Sequence, residues 1–465
     1  MTTFDLVIEG GHLFIDSDLH QANVAVENGK VAKISKLPLS GSKKLSLEGK
    51  ILIPGLIDIH SHMREPGYTY KEDYVTGSMA AATGGVTMFV DMPNVRPPTD
   101  SLREFKNKKK IASEKSVVDF NHFVFPKLDQ ISSVARAGCA GFKVFMIKGE
   151  YPYDERVCVE DRGELYKIFK AISPTGLPCA VHPSDTSLIK TLYKERIASN
   201  PHEPKFVSYG KAFTDDAVYA TSVSTLLFLA AKTGVRLHIL HVQAQSAIDL
   251  IRKAKQSRKI KVTAEVDPLF LLTTKADLDR RGPLVIPGGL FSENRSKTIW
   301  SALKDGTIDA ISTDHAPHSK SEILKTAAKD PLLAPFGSPQ LEHYLSVLLT
   351  KVNNGELNLN QLVNLTCTNP ARIVNVYPRK GTIRAGSDAD LVVIDMKREK
   401  VLSSDRLYTK VGWSPYEGKK VKGAPIMTFV RGELVMENGE VLANPGNGKF
   451  IPSLKNFKIH NKKLS

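Results

Sequence analysis

Residues 56–62 read LIDIHSH, an apolar run that ends in two histidines, and this short stretch is the best guide to the fold. Side chains in a β-strand alternate between its two faces, so His60 and His62 point to the same side of the chain. Ionisable side chains are costly inside an apolar strand unless a partner or a metal ion holds them. The stretch therefore predicts a buried strand whose end carries a polar site.

Seven further runs repeat this design along the middle of the chain. They read GVTMFVDMPN, VVDFNHFVF, AGFKVFM, PCAVHPS, RLHILHV, IKVTAEVD and IDAISTDH. Helix-like segments such as ATSVSTLLFLAAKTG separate them, which is typical of a parallel sheet with crossover helices. Eight such units over about 320 residues predict an α/β fold of the (β/α)8 TIM-like barrel type. An open doubly wound sheet is the alternative, but the sequence lacks the GxGxxG and GxxxxGK[ST] motifs of nucleotide-binding sheets.

The two ends of the chain have a different pattern from the middle. Residues 1–54 and 379–451 contain short strand-like runs punctuated by Gly-Gly and Asn-Gly pairs, as hairpins require. We therefore expect one small β-sandwich domain built from both termini, with the barrel inserted as residues 55–378. Residues 452–465 are basic and are expected to form a loosely held tail.

Composition narrows the class of protein. The 465 residues are 42% hydrophobic and 24% charged, as in an ordinary globular protein. The N-terminal MTTFDLVIEGG lacks the basic and apolar regions of a signal peptide, and no apolar run approaches the ~18 residues of a membrane helix. We therefore expect a cytoplasmic protein without a membrane partner. The four cysteines are too widely spaced for a CxxC metal or redox motif.

The chain is strongly basic, with a formal net charge of +15. Its lysines and arginines are scattered, and no recognised nucleic-acid module accompanies them. We expect a solvated basic surface that attracts an anionic small-molecule substrate and binds no nucleic acid.

Polar side chains recur where the apolar runs end, and this is the strongest functional signal. In a barrel those ends meet at one face, where active sites lie. The residues at the ends are His60, His62, Asn94, Lys143, His182, His241, Glu265 and Asp314. Because His238 lies three positions before His241, alternation places the two on opposite faces, and we expect only His241 to face the barrel interior.

The types of these residues indicate a metal site. Lys143 lies within the apolar GFKVFM, where an unpaired ammonium is costly. A neutral amine there can react with CO2 to form a carbamate that bridges two metal ions; a lysine paired across the barrel is the alternative. Asp314 begins the segment DHAPH and can both bind a metal ion and take up a proton. Four histidines, one aspartate and a carbamate suit two divalent ions, with zinc first and manganese or cobalt as alternatives.

The motifs DIHSHMREPG, GGVTMFVDMPNVRPPTD, GFKVFM and STDHAPH together resemble the amidohydrolase superfamily. Within its cyclic amidohydrolase group, the chain is most similar to the dihydroorotases. The resemblance implies one metal ion on His60, His62 and Asp314, a second on His182 and His241, and a carboxylated Lys143 bridging them. It also implies that Arg64, Asn94 and His318 bind a substrate carboxylate.

The resemblance further implies an activity: reversible hydrolysis of the cyclic amide of dihydroorotate to N-carbamoyl-aspartate, a step of pyrimidine synthesis. Asp314 would act as general base and then as general acid. Three segments depart from the family pattern, and they read EVDPLFLL, VIPGGLFSENR and PQLEHY. The alternatives are an allantoinase or hydantoinase and, in another class, a dihydroorotase-like subunit without activity. A homodimer or larger homo-oligomer is compatible with the sequence.

Overall fold

The computed structural model describes residues 3–147, 155–330 and 335–454 of the chain. The strands in these ranges are β1 (Phe4–Glu9), β2 (His12–Ile15), β3 (Asp18–Gln21), β4 (Asn23–Glu27), β5 (Lys30–Ser35), β6 (Gly41–Ser46), β7 (Ile51–Pro54), β8 (Leu56–Ser61), β9 (Val86–Asp91), β10 (Asp119–Val124), β11 (Gly141–Phe145), β12 (Pro178–His182), β13 (Arg236–Ile239), β14 (Val262–Val266), β15 (Ala310–Ile311), β16 (Leu391–Val401), β17 (Lys420–Val430), β18 (Glu433–Glu437) and β19 (Glu440–Val441). The α-helices are α1 (Tyr74–Thr83), α2 (Leu102–Lys115), α3 (Ile131–Arg136), α4 (Arg162–Ile172), α5 (Thr186–Ser199), α6 (Lys205–Phe213), α7 (Asp216–Thr233), α8 (Gln245–Ser257), α9 (Pro268–Leu272), α10 (Lys275–Arg281), α11 (Glu293–Lys304), α12 (Lys320–Lys329), α13 (Tyr344–Asn353), α14 (Leu359–Val363) and α15 (Asn369–Ile373).

Strands β8 to β15 form one parallel sheet that follows the order of the sequence. Every residue of β8, β9 and β10 is buried, as expected for parallel strands that are covered on both faces. The sheet closes where Ser61, at the end of β8, forms a parallel bridge with His315 beyond β15. The His62 N–H completes this closure by donating to the His315 carbonyl at 2.7 Å. The expected (β/α)8 barrel is confirmed.

The eighth barrel strand is much shorter than the run IDAISTDH suggests, since β15 contains only Ala310 and Ile311. The Asp58 side chain in β8 explains the difference. Its two carboxylate oxygens accept hydrogen bonds from the Thr313 N–H and the Thr313 hydroxyl, each at 2.8 Å. The Ser312 N–H still donates to the Val266 carbonyl of β14, but the next residue bonds to the Asp58 side chain, and the chain turns there towards the end of the barrel.

Both ends of the chain contribute to a β-sandwich beside the barrel, as the sequence predicts. One sheet has the strand order β5-β4-β1-β6, and the other has the order β19-β18-β17-β16-β7-β2-β3. Within the second sheet, β7 pairs with β16 in an antiparallel register that places Ile53 opposite Val392. The domain boundaries expected from the sequence, with the barrel at residues 55–378 and the second part of the β-sandwich at residues 379–451, stay predictions. Of the tail expected at 452–465, the residues from 455 onward lie outside the described residues.

A buried ionic cluster joins the barrel to the β-sandwich. Lys380 Nζ lies 2.6 Å from Asp119 in β10 and 3.3 Å from Asp388, and it also donates to Asp390. These three aspartates could suit a metal ion by spacing alone, but the ammonium already occupies the point where they meet. Burial opposes the charge on Lys380, yet attraction to the three carboxylates outweighs it and raises the pKa of Lys380.

No helix within the described ranges is long and apolar enough to cross a membrane.

Replacement of Lys380 by methionine is expected to destabilise the protein by roughly 3–5 kcal/mol, because buried carboxylates would lose their counter-ion. The measurement is the free energy of unfolding in urea. Lys30→Met is the matched control, because Lys30 contacts the same Asp388 at 3.0 Å with a side chain that is 52% exposed. A loss of more than about 1 kcal/mol in the control, or none in Lys380→Met, would contradict the explanation.

Candidate metal centre and active-site cavity

The first group of predicted metal ligands lies where β8 ends beside the segment after β15. His60 Nε2 and His62 Nε2 are 3.2 and 3.1 Å from Asp314 Oδ1. One ligand atom from each residue lies within 4.8 Å of the others, a spacing that suits a single cation. The structure thus brings Asp314 next to two histidines that lie more than 250 positions earlier in the sequence.

Hydrogen bonds on the other side of each imidazole fix which nitrogen faces this group. His60 Nδ1 lies 2.5 Å from Glu265 Oε1, and His62 Nδ1 lies 2.8 Å from Asn94 Oδ1. Both oxygens act as acceptors, so each Nδ1 carries a proton, and Nε2 is the nitrogen of each ring that faces Asp314 and could bind a metal ion. Partners of this kind orient histidine ligands in metal sites.

Glu265 connects a second histidine to this arrangement. Its other oxygen accepts a hydrogen bond from His238 Nε2 at 3.1 Å. The expectation that only His241 faces the barrel interior was wrong, because β13 ends at Ile239 and strand alternation does not extend to His241. Burial opposes the ionisation of Glu265, but attraction to His60 and the hydrogen bonds from both histidines outweigh it and lower the pKa of Glu265.

The second pair of predicted ligands lies next to the first group. His241 Nε2 is 2.7 Å from His182 Nδ1, and the ring centres of His241 and His60 are 5.7 Å apart. Within the described part of the chain, His182 Nε2 is buried without a hydrogen-bond partner. A buried imidazole nitrogen with no partner is expensive in free energy, and a metal ion would satisfy it.

Lys143 reaches the same space from β11. Its Nζ is buried, lies 4.3 Å from the centre of the Phe145 ring, and has no hydrogen-bond partner among the described residues. Burial penalises the ammonium more than the carboxylates of Asp314 and Glu265 favour it, and it lowers the pKa of Lys143 to about 7. A substantial fraction of the amine is therefore neutral near neutral pH.

Three other candidate ligands, His62, His241 and Asp314, are also in the protonation states that bind metal ions. Burial lowers the pKa of His62 to about 4 and that of His241 to about 3. Burial opposes the charge of Asp314 as well, but the nearby histidines hold its pKa well below the usual value. His62 and His241 are therefore neutral imidazoles, and Asp314 is an ionised carboxylate.

Three residues at this end of the barrel have a strained backbone. Arg64, His241 and Asp314 have φ values of 60°, 35° and 43°, in the left-handed region that non-glycine residues rarely adopt. Each such residue costs on the order of 1–3 kcal/mol, and the surrounding contacts must compensate for it. Strained residues of this kind are common at functional sites.

A protein-family model described as "Amidohydrolase family" matches residues 51–435. The chain belongs to the amidohydrolase family. A relative named dihydroorotase from Methanothermobacter thermautotrophicus is 36% identical over 451 residues, which cover 97% of this chain and 98% of that protein. An L-hydantoinase from Paenarthrobacter aurescens is 32% identical over 460 residues, which cover 96% of this chain and 98% of that protein.

Solved structures of a hydantoinase and a dihydropyrimidinase also superpose on this amidohydrolase. An L-hydantoinase (dihydropyrimidinase) from Arthrobacter aurescens does so with a TM-score of 0.90 and 32% identity, covering 97% of this chain and 100% of that chain. A dihydropyrimidinase from Brevibacillus agri gives a TM-score of 0.87 and 26% identity, covering 96% of this chain and 98% of that chain.

A cavity of the amidohydrolase opens onto both ligand groups and has a largely apolar wall. The apolar and aromatic residues of the wall are Phe145, Ile147, Tyr209, Phe213, Leu269, Phe270, Ile286, Pro287 and Phe336. Its polar residues other than the candidate ligands include Tyr219, Asp267 and Ser338.

The three residues expected to bind a substrate carboxylate lie close to the ligands but outside the lining described for this cavity. Arg64 and His318 contact each other, with 2.8 Å between Arg64 Nη2 and His318 Nε2. Asn94 uses its oxygen on His62, and its buried Nδ2 has no partner among the described residues. Binding of a carboxylate by these residues stays a prediction.

Two of the segments that depart from the family pattern meet in the structure. Gln340 of PQLEHY donates from Nε2 to Asp267 Oδ1 of EVDPLFLL at 2.8 Å and to the Thr313 carbonyl at 2.6 Å. Its Oε1 accepts from the Tyr416 hydroxyl. The sequence marked both segments as unusual, but nothing in their spacing predicted that they pair. Gln340 thus ties together the ends of β14 and β15 beside Asp314.

Proposed function

We propose that this amidohydrolase is a dihydroorotase, which reversibly hydrolyses the cyclic amide of dihydroorotate to N-carbamoyl-aspartate. The observation that carries the proposal is the set of strand-end ligands at one end of the barrel, in a chain that is similar over nearly its whole length to proteins named dihydroorotase. Cytoplasmic location and a homo-oligomeric assembly stay predictions.

The proposed cofactor is a pair of divalent metal ions, with zinc as the first choice. His60, His62 and Asp314 would hold one ion, and His182 and His241 would hold the other. Two buried atoms support this fit, since Lys143 Nζ and His182 Nε2 have no hydrogen-bond partner among the residues that the structure describes.

We propose that Lys143 carries a carbamate between the two ions. The neutral amine would add to CO2, forming an N–C bond and releasing one proton. The pKa of about 7 that burial gives Lys143 makes this amine available near neutral pH. The product is a carboxylate, which replaces an unfavourable buried ammonium by an oxygen ligand.

Metal ions bound in such a site make hydroxide available near neutral pH and polarise the amide carbonyl. The residues of the chain would then handle the protons. Asp314 lies 3.1 Å from His62 Nε2 and is ionised, so it can accept the proton of the attacking water. It would return that proton to the ring nitrogen as the amide bond breaks.

Specificity for dihydroorotate would come from the cationic side of the site. Arg64 offers a planar pair of donors that matches a carboxylate, and Asn94 Nδ2 and His318 can add single donors. Binding of this remote group would orient the scissile bond over the ligand groups.

A second candidate function is a hydantoinase, and the apolar cavity wall favours it. Such a wall suits a cyclic amide with a large apolar substituent better than one with a carboxylate. A substrate panel separates the candidates: dihydroorotate, dihydrouracil, allantoin and 5-benzylhydantoin, compared by kcat/KM. Faster hydrolysis of 5-benzylhydantoin than of dihydroorotate would favour the hydantoinase.

Removal of metal ions by a chelator is expected to abolish hydrolysis, because the ligands alone cannot activate water. Elemental analysis of the active protein should give about two divalent ions per chain. Circular dichroism of the stripped protein controls for unfolding, and zinc should restore activity. Full turnover by metal-free protein would exclude the proposed chemistry.

Lys143→Ala is expected to lower the metal content and to lose most of the activity, since it removes the proposed bridging ligand. Short carboxylic acids should partly restore turnover by taking the place of the carbamate. A direct measurement is 13C NMR of wild-type protein prepared with labelled bicarbonate, which should show one carbamate signal that Lys143→Ala lacks. An unmodified amine in active, metal-loaded protein would contradict the proposal.

Arg64→Ala is expected to reduce kcat/KM for dihydroorotate at least about tenfold, because a charge-assisted bidentate contact is lost. Metal content and turnover of dihydrouracil should hardly change. Arg96→Ala is the matched control, because the Arg96 side chain is exposed and its N–H donates to the Pro66 carbonyl, two residues after Arg64. An equal loss for both substrates would mean that Arg64 is not the carboxylate anchor.

A further inference from the structure

Tyr219 brings a hydroxyl group to the cavity that the proposed hydrolysis does not use. This residue lies near the start of α7 and lines the cavity together with the candidate ligands His182 and His241. Its side chain is almost completely buried. Burial raises the pKa of the Tyr219 hydroxyl well above its usual range, so the group keeps its proton near neutral pH and can donate a hydrogen bond.

The Gln243 amide lies next to this hydroxyl without satisfying it. Gln243 is close enough to affect the pKa of Tyr219, yet neither its Nε2 nor its Oε1 has a hydrogen-bond partner among the described residues. Gln243 is fully buried and is not part of the cavity lining, so it lies behind Tyr219 as seen from the cavity. Buried polar atoms without partners are expensive in free energy, which indicates that this pair is completed by something that enters the cavity.

Asp314 is the acceptor that could compete for the Tyr219 proton. Its carboxylate is near enough to influence the pKa of Tyr219, but no hydrogen bond joins the two side chains. Asp314 Oδ1 already lies 3.2 Å from His60 Nε2 and 3.1 Å from His62 Nε2. Because Asp314 is also the proposed metal ligand and proton carrier, the Tyr219 hydroxyl is left for the substrate.

The candidate substrates share an acceptor that the proposed metal centre does not use. Dihydroorotate, dihydrouracil, allantoin and hydantoins each contain a carbonyl between two ring nitrogens, in addition to the amide that is cleaved. Against a largely apolar wall this oxygen loses its contacts with water and needs a donor from the protein. A tyrosine hydroxyl on the wall can supply that donor.

We propose that the Tyr219 hydroxyl donates to the carbonyl between the two ring nitrogens, and that Gln243 is a positioning residue whose Nε2 donates to the Tyr219 oxygen. The hydroxyl is then both acceptor and donor, and each hydrogen bond of such a chain strengthens the other. The pair makes the enzyme selective for cyclic ureides over cyclic amides that lack this carbonyl. This role rests on the proposed hydrolysis of a cyclic amide, and it applies to dihydroorotate and to hydantoins.

Tyr219→Phe tests the contact, because it removes only the hydroxyl. The measurement is kcat/KM of the holoenzyme for dihydroorotate and for 2-thiodihydroorotate, in which sulfur, a weak acceptor, replaces the oxygen between the nitrogens. The oxygen-to-sulfur ratio of kcat/KM should be roughly five- to tenfold lower in Tyr219→Phe than in wild type. The intrinsic reactivities of the two compounds cancel in this comparison. An unchanged ratio would overturn the proposal.

Tyr193→Phe is the matched control for the loss of a buried tyrosine hydroxyl. Tyr193, in α5, is also buried and packs against Tyr209 with 5.6 Å between ring centres, but it does not line the cavity. Its oxygen-to-sulfur ratio should equal that of wild type. A fall as large as that in Tyr219→Phe would reduce the effect to a general loss of packing and overturn the proposal. Hydantoin and 2-thiohydantoin provide a second pair of compounds for the same comparison.

Gln243→Leu tests the positioning role, since leucine has a similar shape and no amide. The oxygen-to-sulfur ratio should fall by roughly threefold, with metal content unchanged, because the Tyr219 hydroxyl stays but loses its donor. A ratio equal to that of wild type would overturn the role of Gln243. If wild type hydrolyses no cyclic amide of the panel, the proposed function fails; if it is active and Tyr219→Phe has the same ratio, only the role of Tyr219 fails.

Discussion

The structure depends on one constraint: ionisable side chains that are buried at the end of a barrel must each find a partner. Two of the four candidate ligand histidines have one from outside the ligand set, because Glu265 holds His60 and Asn94 holds His62. The two exceptions among the described ligand residues, Lys143 Nζ and His182 Nε2, face the same space. An apolar barrel interior tolerates such atoms only if something else satisfies them. The two unpartnered atoms are therefore those that the proposed metal ions would satisfy.

Much of this site could be predicted from the sequence, because barrel topology converts strand ends into neighbours. Up to 254 positions separate His60, His62, His241 and Asp314, yet all four lie together. The rule that locates them is simple, because the carboxyl ends of barrel strands meet at one face. The pairing of Glu265 with His238 escaped prediction because the alternation rule fails where a strand ends and φ becomes positive. The pairing of Gln340 with Asp267 escaped it because no periodicity links two irregular segments.

The active end of the barrel has two chemically different sides. The cavity wall is mostly aromatic and aliphatic, whereas Arg64 places a buried guanidinium beside it, in contact with His318. A ring with a carboxylate would use the cationic side, and a ring with a bulky apolar substituent would use the wall. The family resemblance alone does not separate these substrates, since relatives with both names align over nearly the whole chain.

The pairing of β7 with β16 has a consequence for how the protein is made. Strand β7 precedes the barrel and β16 follows it, so the seven-stranded sheet cannot be completed until the ribosome has synthesised the whole barrel. Until then the N-terminal strands expose an unpaired edge and one apolar face to other nascent chains. Lys380 and Asp390 also come after the barrel, while their partner Asp119 is made early. The N-terminal strands therefore need protection from aggregation while the barrel is being synthesised. Nothing in their composition marks this need, and in the folded protein the same strands are well packed.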